Sequence, residues 1–369
     1  MLNKTISGVV ISDATNRQNA VITPLALAIK LGIDAHADNY VVVRQVDQAA
    51  PQPAQRFTLE GLLVFVRRQV AVAQAVHSCY EAGPFGYVLH RQLAALGVSN
   101  VVVRPRDWST YGERVKTDQR DAAALCSCLD RHLAGNCGAL SIVRVPSEAE
   151  EQARAVARQR QSLQHERVRL ILQGKSAAVL RGHRLKKDWW TPRSLAALAA
   201  ELPPDLLAQL AIWQRVLLSV ETELQALTEQ LQQAAPKILP VGLGSMSWEL
   251  ITREVGDWHR FHNRRQVASY TGLCPSEHSS GQSRLQGSIT RHGNPRLRHL
   301  LIEAVWRLIR LQPQYRAVAK WRDALLALRL TQARKKKIVV AIARQLAVDL
   351  WRLATGRTTA AALGLQVSG

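Results

Sequence analysis

Leu210, Trp213, Leu217, Val220, Leu224, Leu227 and Leu231 follow one another at alternating intervals of three and four residues. That spacing is the seam of a coiled coil, and only a long helix with an apolar partner along its length can bury it. A partner lies upstream in "SEAEEQARAVARQRQSLQHERVRL", where Val156, Leu163 and Leu170 are seven apart. Ser147, with Glu150 three places on, forms a capping box that opens this helix. The turn-rich "RGHRLKKDWWTPRS" separates the two. The pattern predicts an antiparallel helical hairpin over residues 147–238, serving as a spacer, a dimerisation device or a nucleic-acid arm.

The flanks differ in texture. Residues 25–146 alternate β-rich runs ("LALAIKLGID", "NYVVVRQV", "AVHSCYEAG", "VVVRP") with helical ones ("LEGLLVFVRRQVAVA", "PFGYVLHRQLAALG"). The second helix is expected to open near Pro84 and close at Gly97. Strands and helices in this order predict an α/β sheet covered by helices. Residues 239–369 read as a basic, mostly helical unit that begins with a turn feeding a helix and ends in a helix led by Lys335, Lys336 and Lys337. Three lysines at a helix start oppose the macrodipole, a cost that a bound polyanion would relieve. Residues 1–24 form an N-terminal extension.

Charge narrows the partners. Among 369 residues, 49 Lys and Arg against 28 Asp and Glu give a net charge of +21. A field of that sign favours polyanions, and nucleic acid ahead of an acidic membrane surface. No segment reaches the ~18 uninterrupted apolar residues of a membrane span, and the first 24 residues lack the layout of a signal peptide. Cys79, Cys126, Cys128, Cys137 and Cys274 are odd in number and show no CxxC spacing, which argues against zinc and a disulfide framework. Cys126 and Cys128 read as core residues on opposite sides of a helix. A cytoplasmic protein is expected.

Acids in the first domain fall at telling places. Asp34 and Glu81 each end a predicted strand, and Asp118 and Asp121 lie three apart on one face of a helix. Clustered carboxylates raise one another's pKa unless a cation intervenes, and a hard, oxygen-liking ion such as Mg²⁺ fits them. On a basic chain this quartet points to metal-assisted phosphoryl chemistry. Other roles stay open at each position: Asp118 or Thr117 could cap the helix, and Asp38 could stand in for Asp34. Downstream, Ser279 and Ser280 precede Gly281, with Arg284, Arg291, Arg296 and Arg298 following. A serine attacking a phosphate needs such cations, because negative charge builds on the phosphoryl oxygens. Asn294 and Pro295 occupy cap and first-turn positions of a helix carrying Arg296 and Arg298.

"GIDAHADNYVV", "SCYEAGPFGYVLHRQL", "RVKTDQRDAAAL" and "YTGLCPSEHSSGQSRLQGSITRHGNPRLRHLLIEA" resemble, in this order, the DEDD-type insertion-sequence transposases, bridge-RNA-guided serine recombinases that include an invertase branch. The resemblance runs from about Leu25 to Gly356. It implies an RNase H/RuvC-like N-terminal domain whose Asp34, Glu81, Asp118 and Asp121 hold Mg²⁺, and a C-terminal domain whose nucleophile is Ser280. It further implies donor and target DNA chosen through a structured guide RNA, and a dimer that pairs into a tetramer on DNA, one subunit's serine meeting another's carboxylates. Arg284, Arg291, Arg296, Arg298 and Lys335–Lys337 are the expected nucleic-acid contacts. The chain departs from the family in one place, with Ala37 where a lysine is common. Three rival readings remain: a metal-dependent nuclease acting on branched DNA with water as nucleophile, a non-catalytic binding protein derived from a transposase, and an invertase of the same chemistry.

Overall fold

The structure, a computed structural model, describes residues 25–105, 117–280, 283–327 and 329–368, with the backbone alone at residues 278, 279 and 284. The extension 1–24, Gly281 and the side chains of Ser279 and Arg284 lie outside the described residues. The fold is mixed α/β with mostly helical content, and it divides between Val145 and Pro146 into two compact units.

The first unit runs β1 (Ala26–Ala35), β2 (Tyr40–Val46), β3 (Gln55–Phe57), α1 (Leu59–Ala71), β4 (Ala73–Glu81), α2 (Val88–Ala95), β5 (Ser99–Val103) and α3 (Asp118–Leu133). Its sheet has the order β3-β2-β1-β4-β5. The edge β3-β2-β1 is antiparallel, whereas β4 runs parallel to β1 and β5 parallel to β4. Both faces are covered, which is why the central strands read as unbroken apolar runs. Ile29, Leu31 and Ile33 face α1 and α2 through Leu62, Val66, Leu89 and Leu93. The opposite face meets α3: Val41 and Val43 pack on Ala122 and Cys126, and Cys79 and Val103 pack on Leu125 and Cys128. The two helix cysteines are therefore core residues, as expected, and burial pushes the Cys126 thiol up to about 11.

Gly32 sets how closely α3 approaches. A Cβ there would lie 2.2 Å from the Ala122 carbonyl oxygen and 2.3 Å from the Cys126 nitrogen. Both obstacles are backbone, so no side-chain rotation relieves the clash. Gly32→Val is expected to destabilise the protein by at least about 3 kcal/mol, the upper end of the overpacking range, read as a fall in midpoint on chemical denaturation. An unchanged midpoint would mean that α3 is not seated on Gly32.

Two local expectations change. The second helix begins at Val88 and not near Pro84, because Gly86, at φ 68°, turns the chain first. β3 is three residues long and mostly exposed, too short and polar to show a period.

In the second unit α4 (Glu148–Val179) is capped by Ser147 and Glu150 in the expected reciprocal box. α5 (Pro192–Leu198) and α6 (Pro204–Gln233) follow. Arg160 Nε donates to Thr228 Oγ1 at 2.7 Å, and Arg181 Nη1 to Asp205, so α4 and α6 run antiparallel. Leu210, Leu217, Leu224 and Leu231 are buried, and Trp213, Val220 and Leu227 are half-buried. At the turn end Trp189 donates Nε1–H to the Ile171 carbonyl and its ring fills the notch left by Gly174.

The remainder comprises β6 (Leu239–Pro240), α7 (Ser245–Val255), a 3₁₀ turn at Trp258–Arg260, α8 (Arg264–Thr271), β7 (Pro275–Ser280), β8 (Ser283–Ile289) and α9 (Pro295–Leu311). It ends with α10 (Arg316–Ala319), α11 (Arg322–Leu326), α12 (Gln332–Ala354), α13 (Ala360–Leu363) and β9 (Val367–Ser368), which pairs with β6. The core lies where α9 presents Leu297, Leu301, Val305 and Leu308 to Ile338, Ile342 and Leu346 of α12. Their three- and four-residue spacing is the buried stripe of an amphipathic helix. Among the described residues no helix is long and apolar enough to cross a membrane.

Candidate active site

Parallel pairing of β1 with β4 sets Ile33 opposite Tyr80. The next residues, Asp34 and Glu81, therefore stand at the same end of neighbouring strands. α3 begins over this edge with Asp118 and Asp121 in its first turn. Thr117, not Asp118, is its cap, accepting from the Arg120 N–H at 3.4 Å, so the Asp118 carboxylate is left for other work. Asp38 is exposed in the bend after β1.

Ligand atoms of Asp34, His36 and Asp118 all lie within 4.8 Å of one another. His36 Nε2 is 3.1 Å from Asp34 Oδ2 and 3.6 Å from Asp118 Oδ1, and Arg56 Nη2 reaches Asp118 Oδ2 at 3.3 Å. Burial raises the Asp34 pKa above its ordinary value; His36 opposes the shift, and the negative fields of Asp118 and Asp121 add to it. Asp34 thus feels the charge of two of the other three expected acids. Glu81, half-buried at the end of β4, is not among the three residues of the tight cluster. His36 is the member that the sequence reading missed; its signal was its place two residues after Asp34.

In the second unit β7 and β8 form a hairpin whose last described pair is Ser280 with Ser283. Ser280 is exposed and ends a strand. The hairpin base is fastened by backbone bonds: Thr290 N to Cys274 O at 2.8 Å, Arg291 N to Gly272 O at 3.2 Å, and Asn294 N to Tyr270 O at 2.8 Å. Gly272 and Gly293 make this possible, since a Cβ on either would fall within 2.6 Å of the other's backbone nitrogen.

The expected cations divide by environment. Arg298 donates Nη1–H to the Thr271 carbonyl at 3.0 Å, so part of its guanidinium fastens the hairpin base. Arg291 is exposed and holds a left-handed backbone, at φ 58°. Arg296 is exposed and donates Nε–H to Gln161 Oε1 at 2.6 Å. Lys335 lies 5.2 Å over the Trp306 ring, while Lys336 and Lys337 are exposed on the first turns of α12.

Asn294 uses both ends of its amide. Oδ1 accepts from the Arg296 and Leu297 N–H groups, capping α9 as expected, and Nδ2 donates to Glu254 Oε2 at 2.7 Å. Glu254 also accepts from Arg158 Nε and Nη2 at 3.1 and 3.2 Å. Its burial would raise the pKa, yet these bonds together with the nearby Arg158 and Arg296 charges hold the carboxyl below its ordinary value. The motif residues give no sign of this brace, because Arg158 and Glu254 are far apart in the chain.

A model of the "Transposase IS116/IS110/IS902 family" matches residues 241–320, which hold α7, the serine hairpin and α9. The chain is 33% identical over 320 residues to "Putative transposase y4qE" of Sinorhizobium fredii, covering 80% of this chain and 79% of that one. The chain belongs to the IS116/IS110/IS902 family of transposases. It is also similar to the transposase for insertion sequence element IS1111A of Coxiella burnetii, at 26% identity over 73% of this chain and 75% of the relative. With the transposase for IS1328 of Yersinia enterocolitica it shares 24% identity over 89% and 97%. Transposases act on DNA by cutting and rejoining strands.

Proposed function

We propose that this transposase cuts and rejoins DNA with Ser280 as nucleophile and with Asp34, Glu81, Asp118 and Asp121 as holders of Mg²⁺. The observation that carries the reading is the meeting of acids from β1 and α3 at the edge where β4 ends in Glu81. The order β3-β2-β1-β4-β5, antiparallel on one side of β1 and parallel on the other, supports an RNase H/RuvC-like first domain. Carboxylate oxygens with one imidazole suit a divalent cation, which would offset the negative fields that Asp118 and Asp121 add to the effect of burial at Asp34. When bound, Mg²⁺ polarises a phosphoryl oxygen and offsets its developing charge.

The chain's own residues do the rest. Ser280 Oγ forms a bond to phosphorus as the bond to one strand oxygen breaks, and the proton lost by the serine leaves with that oxygen. The covalent phosphoserine keeps the bond energy for rejoining, so no nucleotide cofactor is needed. Arg291 and Arg296 neutralise the phosphates. Base pairing with a structured guide RNA selects donor and target DNA, and the diffuse charge of +21 suits a protein that holds backbone and does not read bases. Because the serine and the acids belong to different units, a homodimer that pairs into a tetramer on DNA is the assembly proposed, with the α4–α6 pair as its coiled-coil contact.

The test is direct. Wild-type protein, DNA carrying the element's ends and co-purified RNA are mixed with Mg²⁺ and denatured. A covalent protein–DNA band that disappears on chelation is expected. Cleavage without such a band would leave the metal-only nuclease in its place.

A further inference from the structure

A cavity of about 210 Å³ lies between α4, α7 and α9. It is below the roughly 300–1,000 Å³ of sites for drug-sized ligands, so it fits a single ring system. Its walls are fixed by the Glu254 brace, which joins Arg158 of α4 to the Asn294 cap of α9. Ala157, Leu250 and Leu300 supply apolar surface. Gln161 and Gln164 line it with amides, and Arg160 and Arg296 with guanidinium groups. The Gln161 oxygen is taken by Arg296, but the side chains of Gln164, His165 and His299 have no hydrogen-bond partner among the described residues.

These features ask for one kind of ligand. An amide presents a donor and an acceptor side by side, the pattern that matches the edge of a base. Imidazole and guanidinium planes stack on an unpaired base, and arginines bind its phosphate. The apolar patch would cover the face of a ring but is too small for a base pair. We propose that this cavity receives one unpaired nucleotide of a bound nucleic-acid strand, with the base against Leu250 and Leu300, its edge read by Gln164, and its phosphate at Arg296 and His299. The proposal rests on the transposase reading only in that the ligand is nucleic acid; it adds recognition of an extruded nucleotide by the unit that carries the serine.

The experiment uses the full chain and two fluorescent duplexes of one sequence, one fully paired and one with a single unpaired 2-aminopurine nucleotide. Wild-type protein is expected to bind the bulged duplex at least tenfold more tightly, with a change in 2-aminopurine emission. Leu250→Trp fills the cavity and Gln164→Leu removes the free amide from a half-buried helix face; circular dichroism verifies folding of each. Both should lower affinity for the bulged duplex to that for the paired one, leaving the latter within twofold. Equal wild-type affinity for the two duplexes, or a preference kept by both variants, overturns the proposal while the transposase reading stands. Competition by free AMP at the concentration where the bulged oligonucleotide competes also overturns it, by showing a free-nucleotide site. Binding of neither duplex would defeat the nucleic-acid reading itself, and the proposal with it.

Discussion

Ser280→Ala is expected to abolish the covalent protein–DNA species and to lower strand joining by at least a thousandfold, ~4 kcal/mol of transition-state stabilisation. The variant should fold as the wild type does, because Ser280 is exposed at the hairpin end and its hydroxyl packs against no core. No other group at that position can displace the leaving oxygen. Ser279→Ala should keep part of the activity. Ser280→Cys should form adduct slowly, since a soft thiolate is a poor partner for a phosphate held by a hard cation. Tyr270 is the natural competitor, but its hydroxyl donates to the Glu254 carbonyl at 2.9 Å. Mass spectrometry of the trapped peptide should place the DNA within residues 279–281. An adduct on Tyr270, or joining by Ser280→Ala, would end the serine mechanism.

Asp34→Ala should reduce Mg²⁺-dependent cleavage by at least a thousandfold, a similar ~4 kcal/mol, and calorimetry should show loss of divalent-ion binding without any substrate present. Asp34 is the acid with most of the local field upon it: His36 hydrogen-bonds it, and Asp118 and Asp121 both add to the rise of its pKa. His36→Ala separates two roles. If the imidazole orients Asp34, activity should fall by about 10–100-fold, as for residues that support a metal ligand. A loss as deep as that of Asp34→Ala would make His36 a ligand. Glu81→Ala tests the fourth acid, and full cleavage by that variant with Mg²⁺ would remove Glu81 from the site.

Much of this fold shows in the sequence where one force dominates locally. The β-branched runs at residues 41–43 and 101–103 are strands because both faces of the sheet are covered. The leucines of α6 are buried at their seven-residue interval because α4 lies along them. What the sequence hides is either weak or long-range. The hairpin "SEHSSGQSRLQGSI" has no apolar alternation, since a two-stranded ribbon has little core to face, and so it reads as a loop. Gly32 looks like any strand glycine until α3 is laid across it. Asp34, Asp118 and Asp121 are legible as acids at element ends, whereas His36 offers only its place two residues after Asp34. Glu254 reads as one more helix acid, though it carries two partners from distant segments.

α4 runs 32 residues without interruption, about 48 Å at 1.5 Å per residue. A third of the way along, Arg158 grips Glu254, and through it the Asn294 cap from which α9 departs; near its end Trp189 wedges into the notch at Gly174. In mechanical terms it is a beam, clamped in its first half to the base of the serine hairpin and backed by α6 along its span. Val179 and Leu180 are exposed at its far tip, and the helix is continuous from there back to the clamp.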